Sequence, residues 1–132
     1  MNIWFRHNSK NSYSIAALLP LVQAGLAPEP RAGIMLYSFA TPQAEKVYQE
    51  VDRAREAKLD AVFVAGGPHA SALPEEVLEH FDFVVVGEGE ETLPDLIKAI
   101  TDGRDPGTVK GIAYKSSGRI CVTEKRAPVD LD

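Results

Sequence analysis

An alternation of short strand-like runs with helix-length segments constrains this chain more than any other feature of its sequence. The runs lie at residues 2–6, 33–37, 61–65 and 83–86, and each is followed by a turn. Residues 33–37 are continuously apolar, as expected of a strand that is covered on both faces. Because every crossover must return the chain to the same end of the sheet, the alternation predicts a doubly wound, mostly parallel α/β fold.

The segments between the strands have the apolar spacing of amphipathic helices. The first helix is expected to begin at Ser12 or Ser14, either of which can cap it, and to stop at Gly25. The second follows Thr41, because a Thr-Pro pair is typical of an N-cap and first turn. A short helix near Pro74 and a longer one after the fourth strand complete the series.

The last part of the chain departs from this pattern and predicts a β-hairpin. Residues 111–115 and 119–123 flank Ser-Ser-Gly at 116–118, which is a hairpin signal. The expected organisation is one α/β domain over residues 1–107, followed at 108–132 by the hairpin and a linker. The final residues look like the start of that linker.

Composition argues against several kinds of function. The 132 residues suffice for one domain, and 45% apolar and 25% charged residues are typical of soluble globular proteins. A net charge of −5 disfavours nucleic acid as a partner, since phosphate binding needs a basic face. No apolar run approaches the roughly 18 residues that span a bilayer, so no membrane partner and a cytoplasmic location are expected. The lone Cys121 excludes an internal disulfide or a multi-cysteine metal site within these residues.

The unusual local sequences fall in the loops that follow the strands, at residues 6–13, 37–42, 66–73 and 87–92. In an open parallel sheet the ligand lies beyond the carboxyl ends of the strands, at the point where the strand order reverses. These four loops are therefore expected to meet at one ligand site.

Two glycine pairs lie in these loops. Gly66 with Gly67, and Gly87 with Gly89, would let backbone amides approach a bulky ligand without side-chain interference. Turn geometry is the alternative, because glycines in such turns are often needed only for a positive φ. Neither pair belongs to a G-x-G-x-x-G fingerprint or a phosphate-binding P-loop.

Ionisable side chains in the same loops have two interpretations each. His69 could donate a hydrogen bond to a cofactor or, less favourably, bind a metal, whereas loop histidines are more often simply solvated. Glu88, Glu90 and Glu91 could accept hydrogen bonds from a ligand, or only complement the positive end of the last helix. Three carboxylates disfavour a phosphate, but a neutral or amide-rich ligand is less affected.

Two stretches carry a resemblance to a known family. Val-Ala-Gly-Gly-Pro-His-Ala-Ser at 64–71 and Phe-Asp-Phe-Val-Val-Val-Gly-Glu-Gly-Glu-Glu-Thr-Leu at 81–93 strongly resemble the N-terminal half of B12-binding-domain radical S-adenosylmethionine (SAM) proteins. The likeness extends through residues 109–115, 118–120 and 128–132. The earlier part of the chain fits by the order of its elements only.

The resemblance implies a flavodoxin-like or Rossmann-like sheet that holds a corrinoid, cobalamin, above the strand ends. It also implies a radical SAM barrel in the same polypeptide, with a [4Fe-4S] cluster and S-adenosylmethionine as cofactors of that domain. The Cys-x-x-x-Cys-x-x-Cys motif of such clusters is absent, so no catalytic or metal-ligating residues are expected in this chain itself. The residues expected to contact cobalamin come from the four loops and are Asn8, Ser9, Ser12, Tyr37, Ser38, Gly66, Gly67, Pro68, His69, Ala70, Gly87, Glu88, Gly89 and Glu90.

One motif of corrinoid proteins is missing after the first strand. Asp-x-His-x-x-Gly, whose histidine replaces the lower base on cobalt, has no counterpart at residues 6–12. His7 is therefore not favoured as a lower ligand, and the resemblance predicts cobalamin with its base displaced and no protein histidine on cobalt. The same absence leaves open a second hypothesis, in which the domain has lost the cofactor and serves substrate recognition or interdomain contact.

A flavin or nucleotide carrier is a third hypothesis, which rests on the predicted fold and the Ser/Asn-rich first loop. A phosphorylatable receiver domain is disfavoured, because no acidic pair follows the first strand and no Asp ends the third.

Overall fold

The computed structural model describes residues 2–6, 24–87, 89 and 91–124. The strands are β1 (Ile3–Arg6), β2 (Gly25–Ala27), β3 (Gly33–Ser38), β4 (Ala61–Gly66), β5 (Phe83–Val85), β6 (Ile112–Ser116) and β7 (Arg119–Val122). The α-helices are α1 (Ala44–Glu56), α2 (Pro68–Ala72), α3 (Pro74–Val77) and α4 (Thr92–Asp102), and single 3-10 turns lie at Thr41–Gln43 and Pro106–Thr108.

The strands form one sheet in the order β2-β1-β3-β4-β5-β6-β7. All pairs from β2 to β5 are parallel, whereas β5–β6 and β6–β7 are antiparallel. The order reverses between β1 and β3, because β2 lies on the other side of β1. This topology confirms the predicted doubly wound, flavodoxin-like sheet with a C-terminal hairpin, and places the hairpin at the edge beside β5.

Strand β2 corrects the sequence prediction at Gly25, which was expected to stop a helix. Gly25 instead opens a three-residue strand whose first residue is in register with Trp4 of β1. The Trp4 ring covers this glycine so closely that a Cβ on Gly25 would lie 2.8 Å from it. So short a strand shows no alternation that a pattern could reveal. The helix predicted from Ser12 or Ser14 lies outside the described residues.

Each face of the sheet has its own apolar core. The core beneath α1, α2 and α3 includes Met35, Val51, Phe63, Val77 and Val84. The core beneath α4 includes Ile34, Leu36, Val64, Leu96 and Ile112. Each of these side chains is at most 2% exposed, and burying one stabilises the fold by roughly 1.5–3 kcal/mol. The continuous apolar runs in the sequence follow from this two-sided covering.

Helix boundaries lie close to the predicted ones, with two corrections. Thr41, predicted as an N-cap, is instead the first residue of the 3-10 turn at Thr41–Gln43 that leads into α1, and Ala40 is the cap. Helix α3 begins at Pro74, and Gly103 ends α4 with a left-handed φ of 69°. The segment 66–73, predicted as a loop, is largely the helix α2. Five residues are too few for a helical period to show in the sequence. No helix in the described part of the chain is long and apolar enough to cross a membrane.

Candidate functional site

A hollow of about 70 Å³ opens at the carboxyl ends of the central parallel strands, on the α4 face of the sheet. Its apolar walls are the side chains of Phe5, Leu36, Val64, Val85 and Leu93, and its rim includes Ser38, Gly66, Gly67, Gly87 and Gly89. It lies across β1, β3, β4 and β5, and therefore includes the point at which the strand order reverses. The fold thus places an opening where open parallel sheets bind their ligands.

The hollow exists because side-chain size drops at the strand ends. Phe5, Leu36 and Val64 are aligned across β1, β3 and β4 and form a bulky layer. Side chains two residues further along a strand lie on the same face, and at that level Ser38 is paired with Gly66. Because the side chains at this second level are small or missing, space is left above the bulky layer.

Gly66 has no conformational need to be glycine. Its φ lies outside the left-handed region, and a Cβ there would find Val85 Cβ as its nearest neighbour at 3.9 Å, an ordinary van der Waals distance. A side chain at position 66 would project into the hollow. Access for a ligand is therefore the reading that the geometry favours at this position.

Gly67 and Gly87 satisfy the alternative explanation, turn geometry. Gly67 has a φ of 95°, and a Cβ on it would lie 3.1 Å from the carbonyl oxygen of Phe39. Gly87 has a φ of 82°, although no atom of the described residues lies within 4 Å of where its Cβ would be. L-residues strongly disfavour such φ values, so the two turns need these glycines whether or not a ligand binds.

His69 lies in α2, is 4% exposed, and points into the core opposite the hollow. Its Nδ1 lies 3.1 Å from the Thr41 hydroxyl, and its Nε2 lies 2.8 Å from Glu76 Oε2 and 2.9 Å from the Tyr48 hydroxyl. It is therefore not the solvated loop histidine that the sequence allowed. Its direct contact with a cofactor stays a prediction, which this orientation does not favour.

The Tyr48 hydroxyl also donates to Glu76 Oε2 at 2.7 Å. Hydrogen bonds from Tyr48 and then from His69 stabilise the carboxylate and lower the pKa of Glu76 below its usual 4.5. Burial, with the hydrogen bond to Glu76, raises the pKa of Tyr48. The cluster thus holds one ionised carboxylate beside a neutral phenol.

Tyr37 contributes only its backbone region to the hollow, because its ring packs in the opposite core. Its hydroxyl donates to Glu50 at 2.7 Å, and Glu50 accepts three further hydrogen bonds from the Arg6 guanidinium, the shortest of 2.7 Å. Burial raises the pKa of Tyr37, and the bond to Glu50 raises it further. The same carboxylate raises the pKa of Arg6. This network anchors the carboxyl end of β1 to α1.

The remaining predicted contacts divide into three groups. Ser38 lies at the rim of the hollow, as do Gly66, Gly67, Gly87 and Gly89. Pro68 is exposed at the start of α2, and Ala70 is buried in the core beneath it. Five predicted contacts lie outside the described residues, namely Asn8, Ser9, Ser12, Glu88 and Glu90, and the disfavoured ligand His7 lies there too.

Sequence reasoning missed two polar side chains that connect the turns around the hollow. Thr41 contacts His69, as described above, and Ser71 Oγ accepts a hydrogen bond from the Gly87 amide at 3.0 Å. Ser71 lies within the stretch that carries the family resemblance, which was its only signal. Within the described residues, no group of three or more His, Cys, Asp or Glu side chains is placed to hold a metal ion.

Comparison with known families gives one match that covers more than half of the chain. A model of the B12 binding domain matches residues 22–97. That range includes β3, β4, β5 and the described rim of the hollow.

Two curated relatives are similar to most of this chain. Anaerobic magnesium-protoporphyrin IX monomethyl ester cyclase of Rubrivivax gelatinosus is 35% identical over 100 residues, which is 70% of this chain and 18% of the relative. Bacteriochlorophyllide d C-8(2)-methyltransferase of Chlorobaculum tepidum is 33% identical over 98 residues, or 68% of this chain and 21% of the relative. The chain therefore spans about a fifth of the length of these proteins.

Solved structures share the fold at low sequence identity. The radical S-adenosylmethionine methyltransferase TsrM of Kitasatospora setae, with cobalamin and a [4Fe-4S] cluster bound, gives a TM-score of 0.77 at 17% identity over 99% of this chain and 30% of that one. The cobalamin-dependent S-adenosylmethionine radical enzyme OxsB, with aqua-cobalamin and S-adenosylmethionine bound, gives 0.61 at 24% identity over 88% of this chain and 16% of that one.

Proposed function

The chain belongs to the B12 binding domain family, and from this premise we propose that it is the cobalamin-binding module of a radical SAM enzyme. The observation that carries the proposal is the open space at Gly66, where the fold tolerates a side chain but the sequence provides none. A ligand of the proposed site would enter there. When bound, cobalamin supplies the cobalt chemistry, while the protein supplies binding and orientation.

The chemistry of the hollow fits this cofactor. Apolar walls at Phe5, Leu36 and Val64 suit the aromatic base of the cobalamin tail. Backbone groups at the Gly66 and Gly67 turn suit the polar remainder, because no side chain blocks the approach at Gly66. These residues, with Ser38 and the turn at Gly87, are the ones proposed to hold the cofactor.

We further propose that cobalamin binds with its base displaced and without a protein histidine on cobalt. Of the two histidines in the described part of the chain, His69 has both ring nitrogens within hydrogen-bond distance of protein groups and lies in the opposite core. His80 follows α3, where its Nδ1 lies 2.8 Å from Asp52. Neither lies at the hollow.

The proposed parent protein is a longer radical SAM enzyme. The cyclase and the methyltransferase that resemble this chain are about five times as long as the matched segment. Residues 1–107 would form its cobalamin-binding domain and 108–132 would lead towards a radical SAM barrel that binds the [4Fe-4S] cluster and S-adenosylmethionine. The chain alone is then not catalytic. A cytoplasmic location and the lack of a nucleic-acid partner stay predictions from the sequence.

Gel filtration after mixing with hydroxocobalamin tests the proposal. Wild-type protein is expected to retain the corrinoid absorbance, and the visible spectrum distinguishes a displaced base from a bound one. Gly66→Leu should elute colourless, because leucine fills the hollow. The matched control is Gly118→Asn in the hairpin turn, where no neighbour lies within 4 Å and Asn tolerates the φ of 80°.

Three results would contradict the proposal. Colourless wild-type protein at high cofactor excess would favour the alternative of a domain that has lost its cofactor and serves recognition. Equal retention by Gly66→Leu and wild type would place cobalamin elsewhere. Flavin retained on purification would favour the flavin carrier.

A further inference from the structure

The short helix α2 carries two polar side chains that reach the turns on either side of it. His69 Nδ1 lies 3.1 Å from Thr41 Oγ1, at the start of the 3-10 turn after β3. Two residues further on, Ser71 Oγ accepts from the Gly87 amide, in the turn after β5. The helix itself follows Gly66 and Gly67, at the end of β4. One five-residue helix therefore contacts all three turns that follow the central strands.

We propose that α2 is a brace, in which His69 and Ser71 act as positioning residues that set the spacing of these three turns and thereby the affinity for cobalamin. The inference rests on the proposed function, since it names what tunes that same site. In this proposal His69 acts on the site by positioning the turns and does not contact the cofactor itself.

The ring of His69 is held rigidly enough for this role. It is buried against Phe39, with ring centroids 5.7 Å apart, and its Nε2 is fixed by Glu76 and Tyr48. A carboxylate only accepts hydrogen bonds, so Nε2 carries the proton that is donated to Glu76. In the neutral ring Nδ1 is then an acceptor, and the Thr41 hydroxyl donates to it. The hydrogen bond between Thr41 and His69 therefore ties Thr41 to a ring that is itself held in place.

The turns that the brace connects are close enough for small shifts to matter. At Gly67, a Cβ would lie 3.1 Å from both the Phe39 carbonyl oxygen and Ser38 Oγ. The turns after β3 and β4 are therefore in near contact at the rim of the hollow. Loss of the Thr41 bond would let them separate.

The turn at Gly87 is restrained in a different way. Among the described residues, no atom lies within 4 Å of where a Cβ on Gly87 would be, so their packing does not hold that side of the turn. The hydrogen bond from the Gly87 amide to Ser71 does. Because this bond is exposed, its loss should loosen the turn while water satisfies the amide, with little change in overall stability.

Titration of hydroxocobalamin against single variants tests the brace. Thr41→Val and Ser71→Ala each remove one hydroxyl and should raise the Kd about three- to tenfold, the range expected for one hydrogen bond. The double variant should raise the Kd by the product of the two single effects, because the two hydrogen bonds join α2 to different turns. Thr108→Val and Ser116→Ala remove hydroxyls remote from the hollow and should leave the Kd unchanged.

Two substitutions of His69 distinguish positioning from simple loss of packing. The amide oxygen of Asn can take the place of Nδ1 and accept the Thr41 hydrogen bond. The amide nitrogen of Gln can take the place of Nε2 and donate to Glu76. His69→Asn should therefore retain cobalamin affinity better than His69→Gln, while His69→Gln retains the higher thermal midpoint. If the variant with the higher thermal midpoint also binds cobalamin more tightly, the proposal is overturned.

A measurement without cofactor separates failure of the brace from failure of the proposed function. Backbone NMR relaxation of the ligand-free protein should show greater motion at Gly67 in Thr41→Val and at Gly87 in Ser71→Ala. Wild-type protein that binds no cobalamin would refute the proposed function, and unchanged motion at both glycines would refute the brace. Unchanged Kd values in both variants of a cobalamin-binding protein would also refute it.

Discussion

Gly66 and Gly67 are adjacent in sequence but meet different structural demands. Gly67 combines a left-handed φ with backbone and side-chain oxygens 3.1 Å from the place of a Cβ, whereas Gly66 has an ordinary φ and open space. The sequence presents the two as one motif. Only the positions of Phe39 and Ser38, in another strand and its turn, separate a glycine needed by the fold from one that the fold does not require.

Alanine at each position should change stability in opposite directions. Gly66→Ala is expected to raise the free energy of unfolding by about 0.4–1 kcal/mol, because it restricts the unfolded chain without straining the fold. Gly67→Ala should lower it by at least about 1–2 kcal/mol, the cost of a left-handed φ, with the close contact added. Urea unfolding of both variants measures the difference, and a Gly66→Ala that is the less stable of the two would contradict this account.

At the scale of elements, a small cluster connects α1, α2 and α3 on one face of the sheet. Glu76 of α3 accepts hydrogen bonds from Tyr48 of α1 and from His69 of α2. The sequence predicted the existence of α1 and α3 from their caps, but it gave no sign that their side chains converge on His69. That convergence depends on how the helices are placed over β3 and β4.

The lowered pKa of Glu76 predicts that stability falls in acid. A carboxyl group with a folded-state pKa below 4.5 stabilises the fold fully above that pH, and the contribution is lost as the pH falls through the folded-state pKa. The thermal midpoint of wild-type protein should therefore fall more steeply below pH 4.5 than that of Glu76→Gln. Glu75→Gln, an exposed neighbour on the same helix, is the matched control and should follow wild type. Parallel curves for wild type and Glu76→Gln would refute the prediction.

At the scale of the whole molecule, the hollow belongs to the sheet rather than to any single motif. Its walls come from β1, β3, β4, β5 and α4, which span most of the chain. A ligand that binds there contacts only the folded state, so it must stabilise the entire domain. Binding and unfolding are therefore coupled, and each can be measured through the other.

Hydroxocobalamin at 100 times its Kd should stabilise the protein by about 2.7 kcal/mol. For a domain of this size the thermal midpoint should rise by roughly 10 °C. Gly66→Leu should fold but show no rise, because its side chain occupies the hollow. Differential scanning calorimetry with and without cofactor measures both, and an equal rise in the two proteins would show that the hollow is not the site.

The sequence by itself determined the fold class, the parallel direction of four strands and the loops in which a site could lie. Those features follow from local patterns, namely continuous apolar runs, helical spacing and glycine-rich turns. Each such pattern involves only residues that are close together in the sequence. Strand β2, the helix α2 and the inward orientation of His69 were decided by the tertiary structure. Each depends on a partner distant in sequence, such as Trp4 over Gly25 or Glu76 and Thr41 around His69, and no local pattern records such partners.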